Sequence, residues 1–237
     1  MTDEVIDWPT DLLPSSSPGL RYAPHVGGAE SPLTRTRKVY GLTAPRWTTK
    51  LGFVASRRGG QGVGAAGARI DALLSRIEGG LVLVRLWDFW RPYPVGLQRY
   101  HRALAGAELP FTTGETFSGG EAFVIGASGE ALSEAAEAGA TTIVFAGFET
   151  GAAPFDVGDY FQLLARPRII QSASLADDTG RVAVTFAPPI EADVFEGEAT
   201  VVRASGVFQL ANPDAAAGDG TRGQRPSYAL EFVEFLP

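Results

Sequence analysis

The acidic stretch "FDVGDYFQL", residues 155–163, has carboxylates spaced to serve either a cation or a turn. Asp156 and Asp159 would join Glu149 in an oxygen-rich cation site, but a calcium-binding loop alternates its ligands more densely. Asp and Gly are also the residues that β-turns favour. We therefore predict a turn at Asp156 and Gly158, followed directly by a strand, with no metal ligands.

A second acidic pattern, "DDTG", contains the Asp-Thr-Gly tripeptide of aspartic proteases at Asp178, Thr179 and Gly180. Those enzymes bring two such tripeptides together so that two carboxylates share one proton, and Ser or Thr follows the glycine. This chain has one copy of the pattern, and Arg181 follows it. Because Asp-Asp-Thr-Gly is also typical of a hairpin turn, we predict a turn without catalytic residues.

Three glycines, Gly62, Gly64 and Gly67, spell the GxGxxG pattern of a dinucleotide-binding loop, and Asp88 lies near the end of the next predicted strand. In such a site the pyrophosphate binds the helix N-terminus and the carboxylate binds the ribose. A Rossmann domain requires further β-α units, whereas the chain beyond Asp88 is almost wholly β in pattern. We predict a loop leading into a helix, and no bound cofactor.

One helix and its flanking strands account for much of the first half of the chain. Apolar residues at i, i+3, i+4 and i+7 give the helix a buried stripe that ends before two glycines: Ile70, Leu73, Leu74 and Ile77, then Gly79 and Gly80. Two strands are predicted within residues 36–56, around a turn at Ala44 and Pro45. The continuously apolar run "LVLVRLWDFW", residues 81–90, predicts a strand buried on both faces.

Beyond Pro110 the pattern changes to short strands separated by Gly, Asp and Pro, which predicts a small barrel or sandwich. Val182, Val184 and Phe186 alternate with smaller or polar residues, so we predict that one face of their strand is buried. The last predicted strand, residues 227–235, follows a low-complexity loop. Its apolar face requires an earlier strand as partner, and we predict that it completes the sheet of the first half.

Composition excludes several kinds of site. The chain has no Cys and only two His, His25 and His101, which removes thiolate chemistry, disulfides and most His-based triads and metal sites. Its 45% hydrophobic and 20% charged residues are typical of a folded protein. No apolar run approaches the about 20 residues that cross a bilayer, and the acidic N-terminus is unlike a signal peptide. We therefore expect no membrane span and no secretion signal.

Charge is distributed unevenly along the chain. Residues 1–110 hold 14 Lys and Arg against 9 Asp and Glu, whereas residues 111–205 hold 4 against 14. This abrupt shift suggests a change of module near residue 110. The arginines of the basic half are scattered rather than clustered with aromatic residues, so we expect no sequence-specific nucleic-acid binding.

Five prolines make the first 34 residues extended and unsuited to regular structure: Pro9, Pro14, Pro18, Pro24 and Pro32. We predict an extended N-terminal arm over residues 1–34, a base domain over residues 35–110 and 205–237, and an inserted β-domain over residues 111–204. We expect the apolar residues of the arm to bind a neighbouring subunit: Trp8, Leu12, Leu13, Leu20 and Tyr22.

The layout resembles that of tail proteins from long-tailed bacteriophages. The stretches "GATTIVFAGFETGAAPFDVGDYFQL", "IIQSASLADDTGRVAVTFAPPI" and "GVFQLANP" are similar to the inserted β-domain of those proteins. The flanks, "SPLTRTRKVYGLTAPRWTTKLGF", one helix, one buried strand and "YALEFVEF", are similar to the base of siphophage-like distal tail proteins. The resemblance covers nearly the whole chain by layout. It implies a mainly β fold: a tail-tube-like β-sandwich base with one helix (α+β), plus an inserted small β-barrel or β-sandwich.

The resemblance implies a structural protein of the virion and no enzyme. A distal tail protein forms a ring, here expected to be a homohexamer, at the distal end of the tail. It joins the tail tube protein to the hub or tape-measure protein of the tail tip or baseplate, after assembly in the cytoplasm of the bacterial host. Host surface glycans are a further expected partner, since inserted tail domains sometimes bind them.

Three alternative functions remain open at this point. The protein would be another tail-tip component, such as a hub subunit, or a carbohydrate-binding β-module, or, least in keeping with the sequence, a nucleotide-binding enzyme. Four aromatic residues are the candidates for sugar binding: Trp87, Trp90, Tyr160 and Phe161. We assign no catalytic, cofactor-binding or metal-binding residues.

Overall fold

A computed structural model describes residues 4–41, 45–54, 63–97, 130–213 and 227–236. The protein is mainly β, as predicted, and divides into two compact units: residues 1–90 with 207–237 form unit 1, and residues 91–206 form unit 2. Unit 2 is therefore inserted in the sequence of unit 1. Its start at Arg91 precedes the boundary that the charge shift suggested near residue 110, a position that lies outside the described residues.

The strands, in chain order, are β1 Val5–Asp7, β2 Arg21–Ala23, β3 Val26–Glu30, β4 Arg37–Gly41, β5 Arg46–Val54, β6 Leu83–Trp87, β7 Glu130–Ser133, β8 Thr142–Ala146, β9 Tyr160–Leu163, β10 Arg166–Ala173, β11 Val182–Ala187, β12 Gly197–Thr200, β13 Ser205–Leu210 and β14 Ser227–Glu234. Unit 1 is built on a six-stranded sheet in the order β1-β6-β13-β14-β5-β2. The last strand, β14, pairs antiparallel with both β5 and β13, so it joins the sheet of the first half as predicted.

One position in β14 departs from the sequence pattern. Tyr228, Leu230 and Phe232 are buried, and the alternation continues beyond them, with Val233 facing outward and Glu234 facing inward. By sequence alone, the apolar Val233 interrupts the alternation of apolar and other residues, because it stands at an outward position. Glu234 is 3% exposed and accepts a hydrogen bond at 3.0 Å from the backbone N–H of Trp47, which explains how a carboxylate occupies an inward position.

The predicted helix, α1, runs from Val63 to Ile77 and continues as a short 3-10 turn, Glu78–Gly80. All four residues of its apolar stripe are buried, as predicted. Gly79 and Gly80 have φ angles of 67° and 103°, a conformation that favours glycine, and they end the helix. In β6 every residue except Arg85 is buried, which confirms most of the predicted two-sided burial.

The N-terminal segment forms strands at both edges of the sheet of its own unit, which corrects the expectation of an arm without regular structure. β1 pairs in parallel with β6, and β2 pairs antiparallel with β5. Between these strands Trp8, Leu12 and Leu20 are buried, and the Trp8 ring stacks on Phe53 at 5.7 Å and meets the edge of Phe232 at 6.1 Å. These residues therefore pack in the core of their own unit. The prolines lie between the strands, where they interrupt no ladder.

Unit 2 is a closed six-stranded barrel in the order β10-β11-β8-β7-β12-β9. Apolar side chains fill its interior, among them Phe145, Phe161, Ile170, Val182, Val184 and Phe186. The predicted burial of one face of β11 is confirmed. The stretch "EATVVRASGVFQL" contains two strands: β12 belongs to the barrel and β13 to the sheet of unit 1, with Arg203 between them at a φ of 53°. β13 begins at Ser205, the residue at which the base domain was predicted to resume.

If the N-terminal segment belongs to its own core, truncating Trp8 must destabilise the isolated chain. We expect Trp8→Ala to lower the free energy of unfolding by about 3–5 kcal/mol, the usual cost of removing a buried tryptophan side chain. Leu13→Ala is the matched control, because Leu13 is 64% exposed, and it should change that free energy by less than about 0.5 kcal/mol. Urea unfolding measures both free energies, and equal effects of the two substitutions would contradict the assignment of Trp8 to the core.

Candidate functional site

The acidic stretch around Asp159 is a turn that holds a distant segment. Asp156 to Gly158 form the predicted turn, with Gly158 at a φ of 91°, and β9 begins directly after it. Asp159 is 5% exposed, and its carboxylate accepts three backbone N–H bonds: from Val95 at 2.7 Å, Gly96 at 2.9 Å and Asp156 at 2.9 Å. Both oxygens are thus used by the backbone. The prediction of a turn is confirmed. In addition, the Asp159 carboxylate binds the backbone of residues 95 and 96, a contact that was not predicted.

Further contacts attach residues 91–97 to the same turn. The Arg91 guanidinium lies 4.6 Å over the Tyr160 ring and donates to the Tyr160 hydroxyl at 2.5 Å and to the Gly158 carbonyl at 3.2 Å. Gly96 approaches so closely that a Cβ there would lie 2.5 Å from the Phe155 carbonyl carbon. No local sequence pattern predicts this attachment, because its two parts lie more than sixty residues apart in the chain.

The "DDTG" pattern is the predicted hairpin turn, between β10 and β11. The acceptor in this turn is Asp177: its carboxylate receives the Thr179 N–H at 2.8 Å, the Thr179 hydroxyl at 2.7 Å and the Arg181 N–H at 2.9 Å. The bond from Arg181, and then the hydroxyl bond, lower the pKa of Asp177. Gly180 has a φ of 76°, and a Cβ there would lie 2.4 Å from the Phe148 carbonyl oxygen. The carboxylate of the protease-like tripeptide, Asp178, is exposed at the tip.

The glycine pattern and Asp88 form no shared site in the described residues. Gly62 lies outside them, while Gly64 and Gly67 lie within α1. Asp88 is 2% exposed and accepts the backbone N–H of Leu20 at 3.2 Å and of Trp90 at 2.8 Å. The Asp88 carboxylate therefore joins the N-terminal segment to the end of β6.

The four aromatic residues considered for sugar binding are mostly interior. Tyr160, Phe161 and Trp87 are 4%, 0% and 7% exposed, so their ring faces are not available to a sugar. Trp90 is 75% exposed. Sequence pattern could not separate these cases, because core and surface aromatics look alike without their neighbours.

Among the residues that the structure describes, no group of three or more His, Cys, Asp and Glu side chains is placed to hold a metal ion. Within the same residues, no helix has both the length and the apolarity needed to cross a membrane. A groove of about 560 Å³ lies on the outer face of β5 and β14. Its Lys50 and Glu231 form an ion pair at 2.5 Å.

The β3–β4 hairpin is the described feature best suited to meet another molecule. Among the described strands, its two pair only with each other, from Val26 opposite Gly41 to Glu30 opposite Arg37, and nearly all of its described side chains are exposed. The loop between them is ordered by bonds from the Ser31 N–H to the Thr36 carbonyl at 3.0 Å and from the Arg35 N–H to the Ser31 carbonyl at 2.9 Å. Because an isolated two-stranded hairpin is marginally stable in water, a binding partner would stabilise it.

Two aspartates with contrasting surroundings test the role of the carboxylates. Asp159→Asn replaces one accepting oxygen by an amide that faces backbone donors, so we expect a loss of about 1–3 kcal/mol in unfolding free energy. Asp178→Asn, at an exposed turn, is the control and should stay within about 0.5 kcal/mol of the wild type. Chemical denaturation measures both, and an unchanged Asp159→Asn protein would contradict the assigned role.

The turn at Asp177 predicts a pH dependence. Because its folded pKa lies below the ordinary value of 3.8, the ionised form contributes stability above that pH, and the contribution is lost as pH falls through the folded pKa. We expect Asp177→Ala to lower the Tm at neutral pH, and the difference from the wild type to shrink below about pH 4. Thermal melts across this range measure it, and a difference independent of pH would exclude the carboxylate as the cause.

No protein-family model matches the chain, and no curated protein shows significant sequence similarity to it.

Proposed function

We propose that the protein is a structural subunit of a bacteriophage virion, which forms a ring at the distal end of the tail. In this position it joins the tail tube to the tail tip or baseplate. Its role is to assemble, rather than to catalyse a reaction.

The observation that carries the proposal is the layout of the chain. A six-stranded sheet with one helix is interrupted between β6 and β13 by a closed β-barrel, and the chain then returns to place β14 in the middle of the sheet. A base with one helix and an inserted β-domain is the arrangement that the resemblance to distal tail proteins implies. This supports the assignment at the level of architecture.

Two further observations favour assembly. Two of the carboxylates that suggested chemistry, Asp88 and Asp159, accept backbone hydrogen bonds, and a third, Asp178, is exposed at the tip of a hairpin turn. The β3–β4 hairpin is a two-stranded sheet with mostly exposed side chains, a feature that a subunit could use to bind its neighbours. We propose a homohexamer, with the tail tube protein and the hub or tape-measure protein as further partners.

The alternatives are less well supported. A hub subunit of the tail tip would have the same assembling character, and partner stoichiometry separates it from a ring subunit. Three of the four aromatic residues considered for carbohydrate binding are buried, and only Trp90 of the four is exposed. Carbohydrate binding, as the main function or as a glycan contact of the ring, would therefore depend on Trp90.

The proposal predicts that the purified chain forms closed rings. Mass photometry should give a species at six times the chain mass of 25.0 kDa, and negative-stain images should show rings with a central opening. The tail tube protein of the same virus is added in a second arm, because some tail proteins assemble only on a partner. A chain that stays monomeric in both arms would contradict the proposal.

A further inference from the structure

We propose that the tip of the β3–β4 hairpin in one copy of the chain binds an acidic edge of the barrel in a second copy. This inference rests on the proposed function and names the contact by which copies assemble. Two surfaces define it: the "basic tip", which consists of Leu33, Arg35, Arg37 and Lys38, and the "acidic edge", which consists of Glu137, Asp193, Phe195 and Glu196.

The basic tip presents one apolar side chain among three cations. Leu33 is 93% exposed in the loop, and Arg35, Arg37 and Lys38, which follow it in the loop and the start of β4, are exposed as well. None of the three cations forms an ion pair with another described residue. The hydrogen bonds at Ser31 order the backbone of the loop that carries Leu33 and Arg35, so binding would cost little further ordering of that backbone.

The acidic edge presents the opposite arrangement on an equally fixed backbone. Ala136 and Val194 exchange two backbone hydrogen bonds of 2.8 Å, and the Ala138 N–H donates to the Asp193 carboxylate at 2.9 Å. These bonds bring the segment that carries Glu137 beside residues 193–196. Phe195, which follows in that segment, is 85% exposed; Asp193 precedes it by two residues and Glu196 follows it directly.

A second copy of the chain fits both surfaces at once. Each surface has one exposed apolar side chain and three like charges, and the signs are opposite. Two basic tips repel each other, as do two acidic edges, so the favoured contact joins unlike surfaces. Contacts between unlike surfaces are heterologous, and they close into rings when the rotation between subunits allows it. An arginine of the tip can also lie over the Phe195 ring in a cation–π contact.

Nucleic acid and sugar explain less of this arrangement. Phosphate would be attracted to the basic tip and repelled by the acidic edge, and a sugar would leave the three cations of the tip without a partner. Each copy of the chain carries both the basic tip and the acidic edge, which favours association of the chain with itself.

Charge reversal on each surface, followed by mixing, tests the contact. Arg35→Glu with Lys38→Glu reverses the tip and spares Arg37, which lies opposite Glu30 in the hairpin. Glu137→Lys with Glu196→Lys reverses the edge and spares Asp193, which accepts the Ala138 N–H. Each double variant alone should have an apparent Kd for self-association raised about tenfold or more over the wild type. An equimolar mixture of the two should assemble again, because the reversed tip of one variant then faces the reversed edge of the other.

The controls reverse exposed charges of the same units elsewhere. Arg21→Glu with Arg46→Glu matches the tip variant, and Glu149→Lys with Asp178→Lys matches the edge variant; both should assemble like the wild type. Circular dichroism checks that every variant is folded, and mass photometry at low and high salt measures assembly, which added salt should weaken for the wild type.

The possible failures are distinct. If the wild type assembles and the tip and edge variants assemble equally well, the contact is wrong and the proposed ring stands. If folded variants lose assembly but the mixture does not recover it, the two surfaces do not bind each other, and the inference is also overturned. A wild type that stays monomeric overturns both the contact and the proposed self-assembly.

Discussion

Backbone N–H groups that lie outside a strand ladder or a helix need acceptors, and this protein supplies them with carboxylates. Asp159 accepts from two residues of the segment 91–97 and from its own turn, Asp88 accepts from the N-terminal segment, and Glu234 accepts from the start of β5. An unsatisfied buried donor costs about 1–3 kcal/mol, so each of these bonds matters for the fold. Asp88 and Glu234 act in this way within unit 1, and Asp159 does so within unit 2.

The same requirement explains why acidic residues in this chain imitate functional motifs. Asp and Gly occur together at two of the turns of unit 2, because the carboxylate accepts local N–H bonds and the glycine adopts a positive φ. Asp177 with Gly180, and Asp156 with Gly158, are two such pairs. Spacing alone makes them look like a protease tripeptide and a cation loop, whereas their hydrogen bonds assign them to turns.

Features determined by near neighbours in sequence were predictable. The stripe of α1, the alternation in β11 and the hairpin turn at Asp177 follow from patterns a few residues long. The unpaired apolar face of β14 was enough to place that strand in the sheet of unit 1.

Features determined by distant partners were not predictable. The short edge strands β1 and β2 exist because β6 and β5 offer them backbone partners, and their three residues each carry too little pattern to be recognised alone. The bonds from residues 95 and 96 to Asp159 likewise have no local signature.

The position of β14 has a consequence for folding during synthesis. This strand lies between β13 and β5, in the middle of the sheet, yet the ribosome makes it after every strand of the barrel. The barrel can therefore close while β5 still has one bare edge, and the sheet is completed only after the chain has passed through unit 2. During that interval the exposed edge of β5 is open to pairing with another nascent chain, so crowded polysomes would favour exchange of β14 between copies.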